Sequence, residues 1–261
     1  MDEYAFRTLW SKAGKQRCWC SGFVRSLCAL LLLFGLGANS YAAGCGYAAP
    51  TALGKYAPAL CFFDLSDYNE ATASSAAGQN FAFTLPTGGT FSFNLKRSNG
   101  ISVGGGSPNA PLTPSATPTY GGAALGNNNW YAGIPGKPVL YQTVHGTTSV
   151  LTFTNFAVIN PDGSPVVNFD FVAVDGETTS APNESFSLST DGTAWSEIDR
   201  SGSNIAYTGL GTQNLSWRAP RGNASAPILR SRSPTTVVAT IVGGGLQGMA
   251  FALAANSQRA G

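Results

Sequence analysis

The stretch from Val166 to Arg200, VVNFDFVAVDGETTSAPNESFSLSTDGTAWSEIDR, reads as three short strands in a row. Phe169, Phe171 and Ala173 alternate with Asp170, Val172 and Val174, and Phe186 and Leu188 alternate with Ser185, Ser187 and Ser189. That period of two is what one buried face per strand requires. Asp191-Gly192 is a turn pair. Beyond it Thr193, Trp195 and Glu197 fall on one face and Ala194, Ser196 and Ile198 on the other, so the spacing predicts a hairpin over 184–198 closed by an Asp-Gly turn. The signature is that of an antiparallel sheet.

Working outward, the same period recurs. Cys61 to Leu65 is apolar and strand-like, and Ala71 to Gly78 is small, polar and loop-like. Gln79 to Leu95 reads as a second hairpin, with Phe81, Phe83 and Leu85 facing Phe91, Phe93 and Leu95 across Pro86-Thr87-Gly88-Gly89. Further strands are predicted at Ser149–Ile159, Val166–Val174, Gln213–Arg218, Thr235–Val242 and Gln247–Ala254. Between them, 99–126 holds seven Gly, four Pro, three Ser and three Thr, as a linker or a long excursion does. A lone hairpin before that stretch is too little to fold by itself, so the expectation is one domain with a long loop. Many short strands, frequent Gly and Pro and no convincing amphipathic helix predict an all-β chain: an antiparallel β-sandwich of lectin-like or jelly-roll type.

The order of apolar strand, Ala173-Val174-Asp175-Gly176-Glu177, Asn183-Glu184-Ser185 and Thr190-Asp191-Gly192 followed by Trp195 resembles the lectin-like second non-repetitive domain of CshA-type fibrillar surface adhesins. Leu60 to Tyr68 is similar to the family's opening strand, Phe81 to Phe93 to its first hairpin and Gly243 to Leu253 to its closing strand, so the likeness runs from roughly 45 to 255. The resemblance implies an adhesin that binds host glycoproteins such as fibronectin, or glycans, without chemistry. The chain departs from the fibrillar pattern at its end, where 256–261 is a polar tail with no sorting motif, apolar anchor or repeat array. A free-standing secreted, periplasmic or surface module is therefore expected.

Residues 1–43 have the parts of a secretory signal peptide: a basic start, an apolar run from Leu27 to Leu36, and small residues at Ser40-Tyr41-Ala42-Ala43. The run is shorter than the roughly 20 residues of a membrane-spanning helix. Five of the fifteen basic residues and two of the thirteen acidic ones precede residue 26, so the remainder carries ten basic against eleven acidic. A near-neutral domain with few charges argues against a nucleic-acid partner, whose backbone demands clustered Lys and Arg. Arg218, Arg221, Arg230 and Arg232 read as loop and edge-strand residues on a solvated face. Cys18, Cys20 and Cys28 lie in the leader, leaving Cys45 and Cys61, which in an exported chain read as a disulfide. The alternative is a lipid anchor on Cys45, after Ala42-Ala43-Gly44.

Residue chemistry offers three candidate sites. Asn129, Trp130 and Tyr131 follow an Asn run and precede turn residues. The aromatic pair is either exposed, to stack on a sugar or pack on a partner, or a cap over the open end of the core. Asp175, Glu177 and Asn183 form the second candidate. A strand continued past Val174 would put both carboxylates on one face, as in retaining sandwich glycosidases, and Glu184 would extend the set towards calcium. The plainer reading of Asp175-Gly176 is a turn in which the Asp caps nearby backbone N–H groups. The third, His145, is the chain's one histidine, without a Gly-x-Ser-x-Gly elbow, and reads as structural. The expectation is a binding module with no catalytic residue, no metal and no cofactor; oligomeric state is not legible.

Overall fold

The computed structural model describes residues 44–100, 111–117, 124–180, 183–220 and 225–254. The leader expected over 1–43 and the polar tail over 256–261 lie outside them. The described chain is almost wholly β. In order the strands are β1 (Cys45–Gly46), β2 (Leu60–Phe63), β3 (Gln79–Thr84), β4 (Thr90–Asn99), β5 (Leu112–Ser115), β6 (Val139–Gln142), β7 (Thr148–Ile159) and β8 (Asp170–Asp175). There follow β9 (Ser185–Thr190), β10 (Ser196–Ser201), β11 (Ala206–Thr208), β12 (Asn214–Arg218), β13 (Ala226–Arg232), β14 (Thr236–Val242) and β15 (Gly248–Ala254). One turn of helix, α1 (Glu70–Ala73), interrupts the stretch read as loop; Asn69 caps it by accepting from the Thr72 N–H.

The strands form two antiparallel sheets. An eight-stranded sheet runs β1-β2-β15-β8-β13-β10, with β6 joined to β15 and β5 to β6, and a seven-stranded sheet runs β11-β12-β9-β14-β7-β4-β3. β4 and β7, on either side of the Gly- and Pro-rich stretch, are direct neighbours in the second sheet. Between the sheets lies an aromatic core in which Phe63, Phe93, Phe153, Phe171 and Phe251 pack ring against ring at 4.6–6.2 Å. The hairpin predicted over 79–95 is present, with Phe81 opposite Phe93 and Phe83 opposite Phe91.

The hairpin predicted over 184–198 is not. β9 pairs with β12 and β14 in one sheet, whereas β10 pairs with β13 in the other. Asp191-Gly192 therefore carries the chain across the sandwich instead of folding it back. The Asp191 carboxylate accepts from the Thr235 and Thr236 N–H groups at 2.8 and 2.9 Å, which ties the crossing to the start of β14. Trp195, expected on a strand face, sits before β10 and is fully buried between the sheets.

β8 departs from the one-face expectation too. All six of its residues are buried. Phe171 and Ala173 belong to the core between the sheets, while Val172 and Val174 join a second cluster on the outer face with Phe62, Leu125, Tyr131 and Ile228. Arg230 and Arg232 are likewise not edge residues: β13 runs between β8 and β10, and both guanidinium groups meet the Asp170 carboxylate, at 3.4 and 2.9 Å.

β7 changes its buried face part-way along. Thr154 stands opposite Asn94 but Ala157 opposite Ser92, so two residues, Asn155 and Phe156, face the single Phe93. This bulge puts Asn155 at φ 58°, a conformation Asn tolerates better than most residues. The inward set therefore switches from Leu151 and Phe153 to Phe156 and Val158, which keeps the aromatic core continuous.

Cys45 and Cys61 form a disulfide with their Cα atoms 5.2 Å apart, binding β1 to β2. Closing a loop of sequence separation 16 stabilises the fold by about 3 kcal/mol on the loop-entropy account. The Cys45 sulfur is engaged there and offers no thiol for an acyl chain.

Candidate functional site

The ends of β6, β8, β12 and β14 and the starts of β7, β9, β13 and β15 meet at one end of the sandwich, where 143–147, 176–180 and 243–247 lie among the described connecting residues. Asp175 closes β8 there with its carboxylate turned between the sheets and no exposed surface. Its Oδ2 accepts from Thr179 Oγ1 at 2.7 Å and from Trp217 Nε1, on the opposite sheet, at 3.4 Å; Oδ1 accepts from the Glu177 N–H at 3.0 Å. The last bond is the Asx-type cap that Asp-Gly predicts. Burial drives the Asp175 carboxyl well above the usual carboxylate range, against the pull of those three donors.

Gly176 bends the chain after β8, and Glu177 follows half-buried. An Asp with no exposed atom is out of reach of a bulky substrate in this arrangement. Asn183 is exposed in a left-handed turn at φ 69°, and Glu184, buried beside it in sequence, accepts from the Gly245 N–H at 2.9 Å. Among the described residues no three His, Cys, Asp or Glu side chains gather as a metal site. His145 is exposed in the turn after β6.

Asp175 gives a pH prediction with a definite sign. A carboxyl whose folded pKa lies above its unfolded value, about 3.9 for Asp, binds more protons folded than unfolded between the two. Its contribution is therefore fully present below the unfolded value and lost as pH rises through the folded one. Asp175→Asn removes this term. Urea denaturation of both proteins from pH 7 down to pH 4 is expected to show wild type gaining on the variant as pH falls. A difference that stays constant, or shrinks, contradicts the buried protonated carboxyl.

The aromatic candidate lies elsewhere. Trp130 and Tyr131 are buried, so the exposed reading of this pair fails; they cover the outer face of the eight-stranded sheet, with Tyr131 edge-on to Phe62 at 5.9 Å. Tyr131 takes φ 49° and its hydroxyl donates to Asp199 Oδ2 at 2.8 Å while accepting the Tyr56 N–H at 2.9 Å. Burial pushes its phenol upward, and the Asp199 contact adds to that. Gly54 is required here, because a Cβ would fall 2.1 Å from the Tyr131 ring. Asn129 is exposed, but its amide donates to Thr51 O. The cap is thus a lid over the outside of a sheet, not over the open end of the core. Asp175 faces the opposite side of that sheet, so the two halves of the sequence-predicted site are not brought together.

Residues the sequence reading passed over hold a third polar cluster. Arg97, 4% exposed, meets Glu70 at 3.0 Å, and Glu70 also accepts from Tyr68 Oη, Ser74 Oγ and the Leu112 N–H. The alternation that assigned Phe91, Phe93 and Leu95 to one face reaches Arg97 at the next step.

A two-sheet antiparallel sandwich is a rigid scaffold that positions the segments connecting its strands at either end. Residues 58–254 match the family model described as surface adhesin CshA, non-repetitive domain 2, and the chain belongs to that family. Its role is that of a surface adhesin domain, at the cell surface or exported. No curated protein and no solved structure matches the chain. None of the helices among the described residues is long and apolar enough to cross a membrane.

Proposed function

We propose that the protein is an exported recognition module that binds an extracellular-matrix glycoprotein of the fibronectin kind, or the glycans such a protein carries, by non-covalent contacts at the loop end. The observation that supports this reading is the family match over the whole sandwich, from β2 to β15. Exposed Asn183 and half-buried Glu177 lie on the 176–184 connection, whereas Trp130 and Tyr131 are spent on packing. The loop end is therefore the better candidate surface, and Asp175 serves it as a support. Export through the 1–43 leader belongs to the same reading.

The test is binding of the full chain to immobilised fibronectin, to other matrix proteins and to a glycan array. Saturable binding is expected, competed by soluble ligand and weakened at least tenfold by Glu177→Gln combined with Asn183→Ala. Binding that the double variant leaves intact moves the site off this end, and silence across the panel removes the matrix-ligand reading altogether.

A further inference from the structure

At the other end of the sandwich the pairing of β7 is interrupted. β14 accompanies β7 from Thr148, opposite Val242, to Thr154, opposite Thr236, and stops there. The flank is taken up again only where Ile159 bridges Pro165 and the Val166 N–H donates to Val158 O at 2.8 Å. Between those points Asn155, Phe156 and Ala157 have β4 on one side and, among the described residues, no strand on the other. The gap opens on a groove of about 580 Å³ lined by Pro165, Val166 and Val167, by Ser233 and Pro234, and by Phe156. That volume falls in the range of small-ligand clefts, about 300–1,000 Å³.

Three further observations converge on it. Asn155 at φ 58° and Ser233 at φ 50° both hold left-handed backbone in its lining. Such conformations persist only where surroundings enforce them, and they concentrate at functional sites. The Ser233 hydroxyl is buried without a hydrogen-bond partner among the described residues. Val167 is 73% exposed, an aliphatic side chain left in solvent at the rim.

The geometry points to an occupant: an extended, uncharged peptide segment of a partner protein, lying beside β7 as an added strand with an apolar side chain seated between Phe156 and Val166. This rests on the recognition reading above and assigns the protein part of the ligand its own contact. Phe156 and Ala157, without a partner strand on this flank among the described residues, span about 7 Å, enough for a short added ladder; the main chain supplies affinity and the groove selects the side chain. Nine of the fourteen lining residues are apolar and none is charged, so a buried Lys or Glu would find no counter-charge. A saccharide would set most of its hydroxyls against aliphatic walls.

The experiment pans a phage-displayed random dodecapeptide library on the full chain and measures the selected peptides, made synthetically, by fluorescence polarisation against wild type, Val167→Asp and Asn183→Ala. Val167 is exposed, so its replacement leaves the core intact. The expected peptides are uncharged with alternating apolar residues, lose at least tenfold in affinity on Val167→Asp, and are indifferent to Asn183→Ala. Selection of no peptide, a charged consensus, or displacement of the peptides by neutral oligosaccharides overturns the proposal. So does the reverse pattern, loss on Asn183→Ala alone, which leaves the loop-end function standing.

Discussion

Trp195→Ala is expected to lower the unfolding free energy by about 3–5 kcal/mol, the cost of emptying a fully buried aromatic site. The side chain has no exposed surface and lies where the chain passes from β9 in one sheet to β10 in the other. Its backbone is fixed on both sides, the N–H donating to Thr212 O at 2.8 Å and the carbonyl accepting the Gly211 N–H at 3.1 Å, so the site cannot readily collapse around a cavity. Trp195→Phe is expected to cost less than half as much, because it keeps part of the volume and removes an indole N–H that is buried without an acceptor among the described residues. Urea denaturation followed by circular dichroism measures both. An alanine variant within about 1 kcal/mol of wild type would mean that the crossing does not depend on this side chain.

Glu70→Ala is expected to be as damaging for an electrostatic reason. Arg97 is 4% exposed and has its Nε and Nη2 without partners among the described residues; its charge is answered by Glu70 at 3.0 Å. Removing the carboxylate leaves a buried guanidinium uncompensated, which costs about 3–5 kcal/mol. It also strips acceptors from Tyr68 Oη and the Leu112 N–H, so α1, β4 and β5 lose their common anchor. Replacing both partners, Glu70→Ala with Arg97→Met, is expected to recover a substantial part of the loss, since an apolar stem in place of the charge needs no counter-ion. Equal midpoints for the single and double variants in guanidinium denaturation would show that the lost hydrogen bonds, not the charge, set the cost.

Much of the fold could be read from residue order, and the failures share a cause. Alternation reports which residues of a strand point the same way; it says nothing of which strand lies alongside. Phe81 to Leu95 came out right because a tight Gly-Gly connection folds the second strand straight back along the first. Asp191-Gly192 fits a hairpin equally well, yet the crossing is decided by Thr235 and Thr236, which bind Asp191 from more than forty residues away. Val172 and Val174 could have been read as a second buried face, being as apolar as Phe171. What covers them, Tyr131 and Leu125, lies far off in sequence. The same distance hid the fate of Trp130 and Tyr131: an aromatic pair after an Asn run looks alike whether it meets solvent or a sheet. Of the candidate site, the Asp175 cap was legible because it is local. The groove beside Asn155 was not, since a missing ladder partner leaves no trace in sequence.

The disulfide has a mechanical consequence for a domain of an adhesin family. Tension entering at Cys45 passes through its sulfur to Cys61, and Cys61 is laddered opposite Leu253, next to the last described residue of β15. The disulfide thus joins the opening and closing described strands of the sheet through the β2–β15 ladder, with β8 on the other side of β15. The segment from 46 to 60 cannot be drawn out as slack. Such a clamp lets load reach the sandwich without first unravelling its opening segment.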